Sequence, residues 1–265
     1  MGSPSRAVDE TDWLKAAAIV LVSIDHFGYF FMEDGRWWGV FGRLAAPIFF
    51  FLVGYARTPT VPFHWIWLGI ILTVLESWNA DWAWVAPNIL LSLAFIRFAR
   101  PFVEGLVEQC GWAAFVVLVC GLVAVLPPAA RCVDYGAEGW LWALFGLYQR
   151  RSVDGRPAAK PAGASSPTNA NLIRFVACVT AALVYLWQEQ EEFSFPRVHL
   201  AVFMLGLAAQ SVCLCVFRRG PSRLKPPERV AGVVRFIGRH TLEIYAIQLA
   251  GSELLVKLLP SLRIE

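Results

Sequence analysis

Long apolar stretches alternate with short polar clusters along this chain, and the apolar stretches have the length that sets a membrane helix apart from a soluble one. Windows approaching the roughly 20 residues needed to cross a bilayer open at 13–32, 37–57, 62–78, 82–98, 108–127, 137–149, 171–188, 198–217 and 239–259. The pattern predicts an all-α fold, a polytopic transmembrane bundle of about nine to ten helices. The windows at 82–98 and 137–149 are short and read as half-helices or re-entrant pieces, and a tenth helix is allowed near 101–108.

Composition agrees with the pattern. The 265 residues are 57% hydrophobic and 16% charged, against about 25% charged in soluble domains. Twelve Trp and nineteen Phe suit bundle cores and membrane interfaces. The net charge of +3 gives no support to nucleic-acid binding, because the basic residues gather in particular loops. Arg6, Arg57, Arg97, Arg100, Arg150, Arg151, Arg156, Lys160, Arg218, Arg219, Arg223, Lys225, Arg229, Arg235 and Arg239 share one predicted side, fifteen in all. Only Arg36, Arg131, Arg197, Lys257 and Arg263, five residues, fall on the other. That asymmetry predicts a cytoplasmic N-terminus and places the outer end of the first helix in the outer half of the membrane. The six cysteines form no disulfide framework: Cys110, Cys120, Cys178, Cys213 and Cys215 lie in apolar runs and read as buried small hydrophobes, and only Cys132 falls in an expected outer loop. The polar N-terminus carries no cleavable signal, so the first helix is expected to remain.

The chain divides into four segments. Residues 1–12 are a cytoplasmic tail, 13–150 an N-terminal helical half, 151–170 a Pro-, Ala-, Gly- and Ser-rich cytoplasmic linker, and 171–265 a C-terminal helical half. No internal repeat links the halves, which weighs against a transporter built by duplication. The basic stretch from Arg218 to Arg229 reads either as a solvated positive-inside loop or as a surface for a phosphorylated cofactor.

Ionisable residues inside apolar windows carry the candidate chemistry, since each costs on the order of 3 kcal/mol to insert. Asp25-His26 lies near the outer end of the first window; a carboxylate beside an imidazole suits general-base work. In Gly42-Arg43-Leu-Ala-Ala-Pro47, proline cannot donate to the Arg43 carbonyl and is expected to kink the helix. Arg43 then serves as a fork for a carboxylate or phosphate, as the counter-ion of Asp25, or as both. Asp134-Tyr135-Gly136-Ala-Glu138-Gly139 offers either a helix cap or a carboxylate at the outer mouth that would bind an amine. Asn88 comes after Pro87 at a helix start, as a cap or a hydrogen-bonding amide. In the last window Glu243 is an intramembrane carboxylate, and Tyr245 and Gln248 share a face. His64, His199 and His240 read as interfacial. The chain has no P-loop, Rossmann glycine pattern, HExxH or CxxC pair, so nucleotide hydrolysis, hydride transfer and a metal site have no sequence support.

Taken together these residues resemble the TraX family, membrane proteins associated with N-terminal acetylation of conjugative F-type pilin, within the wider group of transmembrane acyltransferases. The resemblance rests on Leu14-Lys15-Ala through Ile24-Asp25-His26, Gly42-Arg43-Leu-Ala-Ala-Pro47-Ile-Phe, Pro87-Asn88-Ile-Leu and Asp134-Tyr135-Gly136-Ala-Glu-Gly139, and covers residues 12 to about 150 best. It implies a catalytic His26 oriented by Asp25, with Arg43 and Asp134 in the site and acetyl-CoA as donor. Many relatives end the Tyr-x-x-x motif of the last helix in histidine, whereas Gln248 stands here and cannot titrate. The expected activity is acyl transfer from a cytoplasmic coenzyme A thioester to a peptide amine or glycan hydroxyl at the outer side of a bacterial inner membrane. His26 would act as general base or transient acyl carrier, in contact with membrane lipids and no nucleic acid, and a homo-oligomer is left open. The rival reading is a proton-coupled transporter or flippase in which Asp25, His26, Arg43 and Glu243 form a relay.

Overall fold

Helix α1 (Glu10–Phe31) starts where its sequence provides two reciprocal caps. The Asp12 backbone N–H donates to Asp9 Oδ1 at 2.9 Å, and the Asp9 N–H donates to Asp12 Oδ2 at 3.0 Å. Two orphan donors of the first turn are thereby satisfied. The computed structural model describes residues 7–126, 132–154, 167–222, 224 and 226–259. Most of the expected 151–170 linker, and parts of the basic loop at 223 and 225, lie outside these described residues.

After α1 come α2 (Arg36–Gly42), α3 (Ala45–Tyr55), α4 (Phe63–Asn79), α5 (Ile89–Ala124), α6 (Gly136–Val153), α7 (Pro167–Phe193), α8 (Arg197–Val216), α9 (Glu228–Arg239) and α10 (Thr241–Leu258). The protein is an all-α polytopic membrane protein. Among the described residues five segments are long and apolar enough to cross a bilayer: Glu10–Phe31, Arg36–Tyr55, Ile89–Ala124, Asn171–Phe193 and Arg197–Val216. Every window expected from the sequence coincides at least in part with helix.

Three local departures have physical causes. The 37–57 window is broken into α2 and α3 at Arg43-Leu44, the position whose carbonyl Pro47 cannot pair. The 82–98 window becomes helical only at Ile89, because residues before a proline avoid the α region and Asn88 caps the helix that begins there. The end of that window and the 108–127 window merge into α5, which breaks at Gly111 with φ 53° and ψ −122°, a conformation open to glycine alone at low cost. Helix α9 was not expected, since its apolar residues occupy only part of its circumference and never fill a bilayer-length window.

Two compact units divide the chain, one from residues 1–48 with 216–265, the other from 49–215. In the first, α1 packs against α2, α9 and α10. Val8, Ala16, Ala231 and Val234 form its cluster, joined by Trp13 and Ile237. The segment after α8 returns to the start of the chain: Glu10 N–H donates to Gly220 O at 3.0 Å, Ser222 N–H to Val8 O at 3.0 Å, and Trp13 Nε1 to Ser222 Oγ at 3.0 Å. In the second unit α6 is the central element, with Leu141, Trp142, Phe145 and Leu147 fully buried. Gly54 and Gly146 bring α3 and α6 into backbone contact, where a side chain on either would strike a main-chain oxygen. The cysteines are unpaired, and the expectation of burial holds only for part of them: Cys178 is buried and Cys215 partly so. Cys110, Cys120, Cys132 and Cys213 are on the surface.

Candidate functional site

The first unit gathers most of the polar residues singled out in the sequence. Its geometry begins with Gly42, the last residue of α2. A Cβ there would lie 2.2 Å from Asp25 Cβ, so only glycine lets α2 approach α1 this closely. Arg43 is the C-cap of α2, its backbone N–H bonded to Gly39 O at 3.0 Å, where the helix dipole favours a cation. Its guanidinium Nε then lies 3.5 Å from Asp25 Oδ1, both side chains more than four-fifths buried. The counter-ion reading of Arg43 is therefore realised in the geometry.

His26, 8% exposed, occupies a different face of α1, because successive helical residues point about 100° apart. Its ring lies 5.5 Å from that of Tyr245, tilted by 50°, and 6.1 Å edge-on from that of Phe30. Its Nδ1 is buried and has no hydrogen-bond partner among the described residues. Direct orientation of His26 by Asp25, as the sequence suggested, is thus not seen: the carboxylate turns to Arg43. Arg43 remains close enough to His26 for the two to interact electrostatically.

One turn before His26, Ser23 Oγ donates to Ile19 O at 2.7 Å and lies 3.3 Å from Gln248 Oε1. At the other end of the helix pair, Lys15 Nζ donates to Gly238 O at 2.9 Å just before α10, so the start of α10 lies by the start of α1 and the two helices run in the same direction. The shared face of Tyr245 and Gln248 results from their spacing of three. Ser23 was missed by the sequence reading, although its position three residues before His26 marks it as a neighbour on that face. Glu243 sits in the first turn of α10, where a carboxylate is favoured by the helix dipole.

The remaining candidates belong to the second unit. Asn88 is a cap: its Oδ1 accepts from Leu90 N–H at 3.2 Å, and its Nδ2 donates to Glu76 Oε1 at 2.8 Å, tying α4 to α5. Asp134 precedes the N-cap position of α6. Its backbone N–H bonds to Pro87 O at 3.2 Å and its carbonyl accepts from Ser92 Oγ at 2.7 Å, while the N-cap is Tyr135 in the left-handed region, φ 51°. The Tyr135 ring sits 5.8 Å from Phe50 and stacks on Tyr185 at 6.3 Å. Glu138, part of the same motif but not itself a site candidate from the sequence, is 6% exposed, and its Oε2 has no hydrogen-bond partner among the described residues. Among those residues no group of three or more His, Cys, Asp or Glu side chains could hold a metal ion.

A helical membrane protein with a buried histidine and an Asp–Arg pair on its first helices is the class that fold and site define. The model of the family described as TraX protein matches residues 10–203, and the chain belongs to the TraX family. Protein TraX of Escherichia coli is 26% identical over 226 residues, covering 76% of this chain and 87% of that protein. No solved structure matches.

Proposed function

We propose that this protein is an integral membrane acyltransferase, using acetyl-CoA as donor and a peptide amine or glycan hydroxyl as acceptor. The observation that carries the reading is His26: an imidazole buried within an apolar helix, with an unpartnered ring nitrogen, in a chain of the TraX family. Burying a polar nitrogen without a partner costs about 1–3 kcal/mol, so its retention is accounted for by a partner that arrives with substrate. As general base, His26 takes the proton of the acceptor as its nitrogen or oxygen attacks the thioester carbonyl, and returns it to the departing thiolate. As acyl carrier, the imidazole itself attacks, the carbon–sulfur bond breaks, and the acceptor then displaces the acyl group from the ring. Arg43, fixed by Asp25, supplies positive charge for the oxyanion in either route.

The reading extends to an inner-membrane location with the N-terminus cytoplasmic, supported by the distribution of basic residues. The Asp25–Arg43 pair also suits a proton relay, the second reading. Incubating the purified chain with labelled acetyl-CoA and a peptide amine separates the two. Transfer that depends on His26 supports the acyltransferase, whereas a chain that neither binds nor consumes acetyl-CoA with any acceptor sinks it.

A further inference from the structure

The acyl-transfer reading makes no use of a concentration of arginine in the second unit, where the end of α3, the middle of α5 and the end of α6 meet. The last carbonyls of a helix lack intrahelical partners, and here arginines supply them. Arg100 and Arg150 both donate to the Ala56 carbonyl, and Arg100 Nη2 also donates to Arg57 O at 3.1 Å. Arg100 Nε lies 3.5 Å from Glu104 Oε1, which also pairs with Arg150. Arg151 pairs with Glu108 at 3.4 Å and Arg57 with Asp154 at 2.7 Å.

Arg97 is different. It meets no carboxylate among the described residues. Its Nη2 donates to Thr58 Oγ1 at 3.1 Å, its guanidinium lies over the Trp65 ring at 5.1 Å, and it is near enough to Arg100 to be repelled by it. Among the described residues, five guanidiniums therefore converge where three carboxylates answer them. Carbonyl capping accounts for Arg100 and Arg150, and ion pairing for Arg57 and Arg151; neither accounts for Arg97.

A guanidinium cannot shed its charge, and although Arg97 is only half-buried, its Nε is buried with no hydrogen-bond partner among the described residues, a donor that an incoming anion would satisfy. The geometry also selects the anion. Planar forks grip the oxygens of a phosphate two at a time, and the Trp65 face holds the plane of Arg97 in place. Arg57, 60% exposed, leaves the cluster open to solvent on one side.

We propose that Arg57, Arg97 and Arg100 form a binding site for a phosphate or diphosphate group. The group belongs either to a soluble phosphorylated ligand or to the headgroup of an anionic lipid; both present the same oxygens. This goes beyond the acyl-transfer reading and does not require it.

The test uses the full chain in phosphatidylcholine nanodiscs titrated with inorganic pyrophosphate, beside the same chain in phosphatidylglycerol nanodiscs, with thermal unfolding and binding as readouts. For a soluble ligand, pyrophosphate raises the unfolding temperature, and Arg97→Gln weakens its apparent Kd by about tenfold or more, the scale of one charge-assisted hydrogen bond. For a lipid headgroup, phosphatidylglycerol stabilises the wild type and fails to stabilise Arg97→Gln. Arg57→Gln, a change at an exposed position that leaves the fold intact, weakens whichever response is seen. The proposal is overturned if neither anion stabilises the wild type, or if both variants respond as the wild type does. His26→Ala keeps the response, so failure here is read separately from failure of acetyl transfer.

Discussion

The imidazole of His26 rests against the phenol ring of Tyr245, their centroids 5.5 Å apart, although one belongs to the first helix and the other to the last. Tyr245 is itself buried. Its ring therefore limits where the imidazole can turn. Replacing Tyr245 by Phe keeps the ring contact and removes the hydroxyl, whereas Ala removes both. If packing alone matters, Tyr245→Phe retains acetyl transfer and Tyr245→Ala loses it; equal losses would place the hydroxyl in the reaction.

His26→Ala should insert and unfold close to wild type while acetyl transfer falls by roughly 100-fold or more, the scale of lost acid–base catalysis. Labelled acetyl-CoA turnover and a thermal melt on the same preparation check this. Undiminished turnover in a well-folded variant removes His26 from the mechanism.

The Asp25–Arg43 pair predicts strong coupling. Asp25→Asn or Arg43→Gln alone strands a largely buried charge and should cost on the order of 3 kcal/mol, whereas the double variant should recover much of it. Unfolding in a denaturant series measures both. Arg43→Lys keeps the charge and loses the fork, so if Arg43 also contacts the donor, this variant folds but shows weakened apparent affinity for acetyl-CoA.

Gly42→Ala and Gly39→Ala make a matched pair on α2. A methyl group at Gly42 meets Asp25 at 2.2 Å, while one at Gly39 meets nothing within 4 Å. The first should destabilise by about 1–3 kcal/mol as overpacking does. The second should be neutral or gain up to about 1 kcal/mol from helix propensity. Similar melting temperatures for the two would show that α2 does not sit against α1 as described.

Glu138→Gln replaces a buried carboxylate whose Oε2 lacks a hydrogen-bond partner with a neutral amide of the same shape. Stability should stay level or rise, because burying a carboxylate is costly where one of its oxygens goes without a hydrogen bond. A fall of more than about 1 kcal/mol in the melt would reveal a partner for the carboxylate.

Much of the fold is written in hydropathy, because a bilayer-length apolar run has few alternatives to a helix. The features that escaped were those set by one residue or by partial apolarity. The break in α5 depends on Gly111 and α9 on an apolar stripe too narrow for a hydropathy window, whereas the break at Arg43-Leu44 was legible in Pro47. At the site, individual residues were legible as misplaced charges, but their partnerships were not. Adjacent residues such as Asp25 and His26 invite pairing in a linear reading, yet a helix turns them to different neighbours. Asn88 is engaged at a helix end and Asp134 through its backbone, since short polar side chains and loop amides serve helix ends wherever chains turn. The contact of Ser23 with Gln248 required knowing which helices lie together.

The unit that holds His26 is assembled from the two extremes of the chain, with α1 enclosed by α9, α10 and the segment around Gly220. On a ribosome, α1 is made well before Tyr245. Until α10 follows, the histidine lacks its aromatic neighbour and Ser23 lacks Gln248. The surroundings of His26 are complete only once α10 docks, so that a chain cut short before residue 241 carries both residues of the Asp25–Arg43 pair and lacks the aromatic wall that Tyr245 supplies.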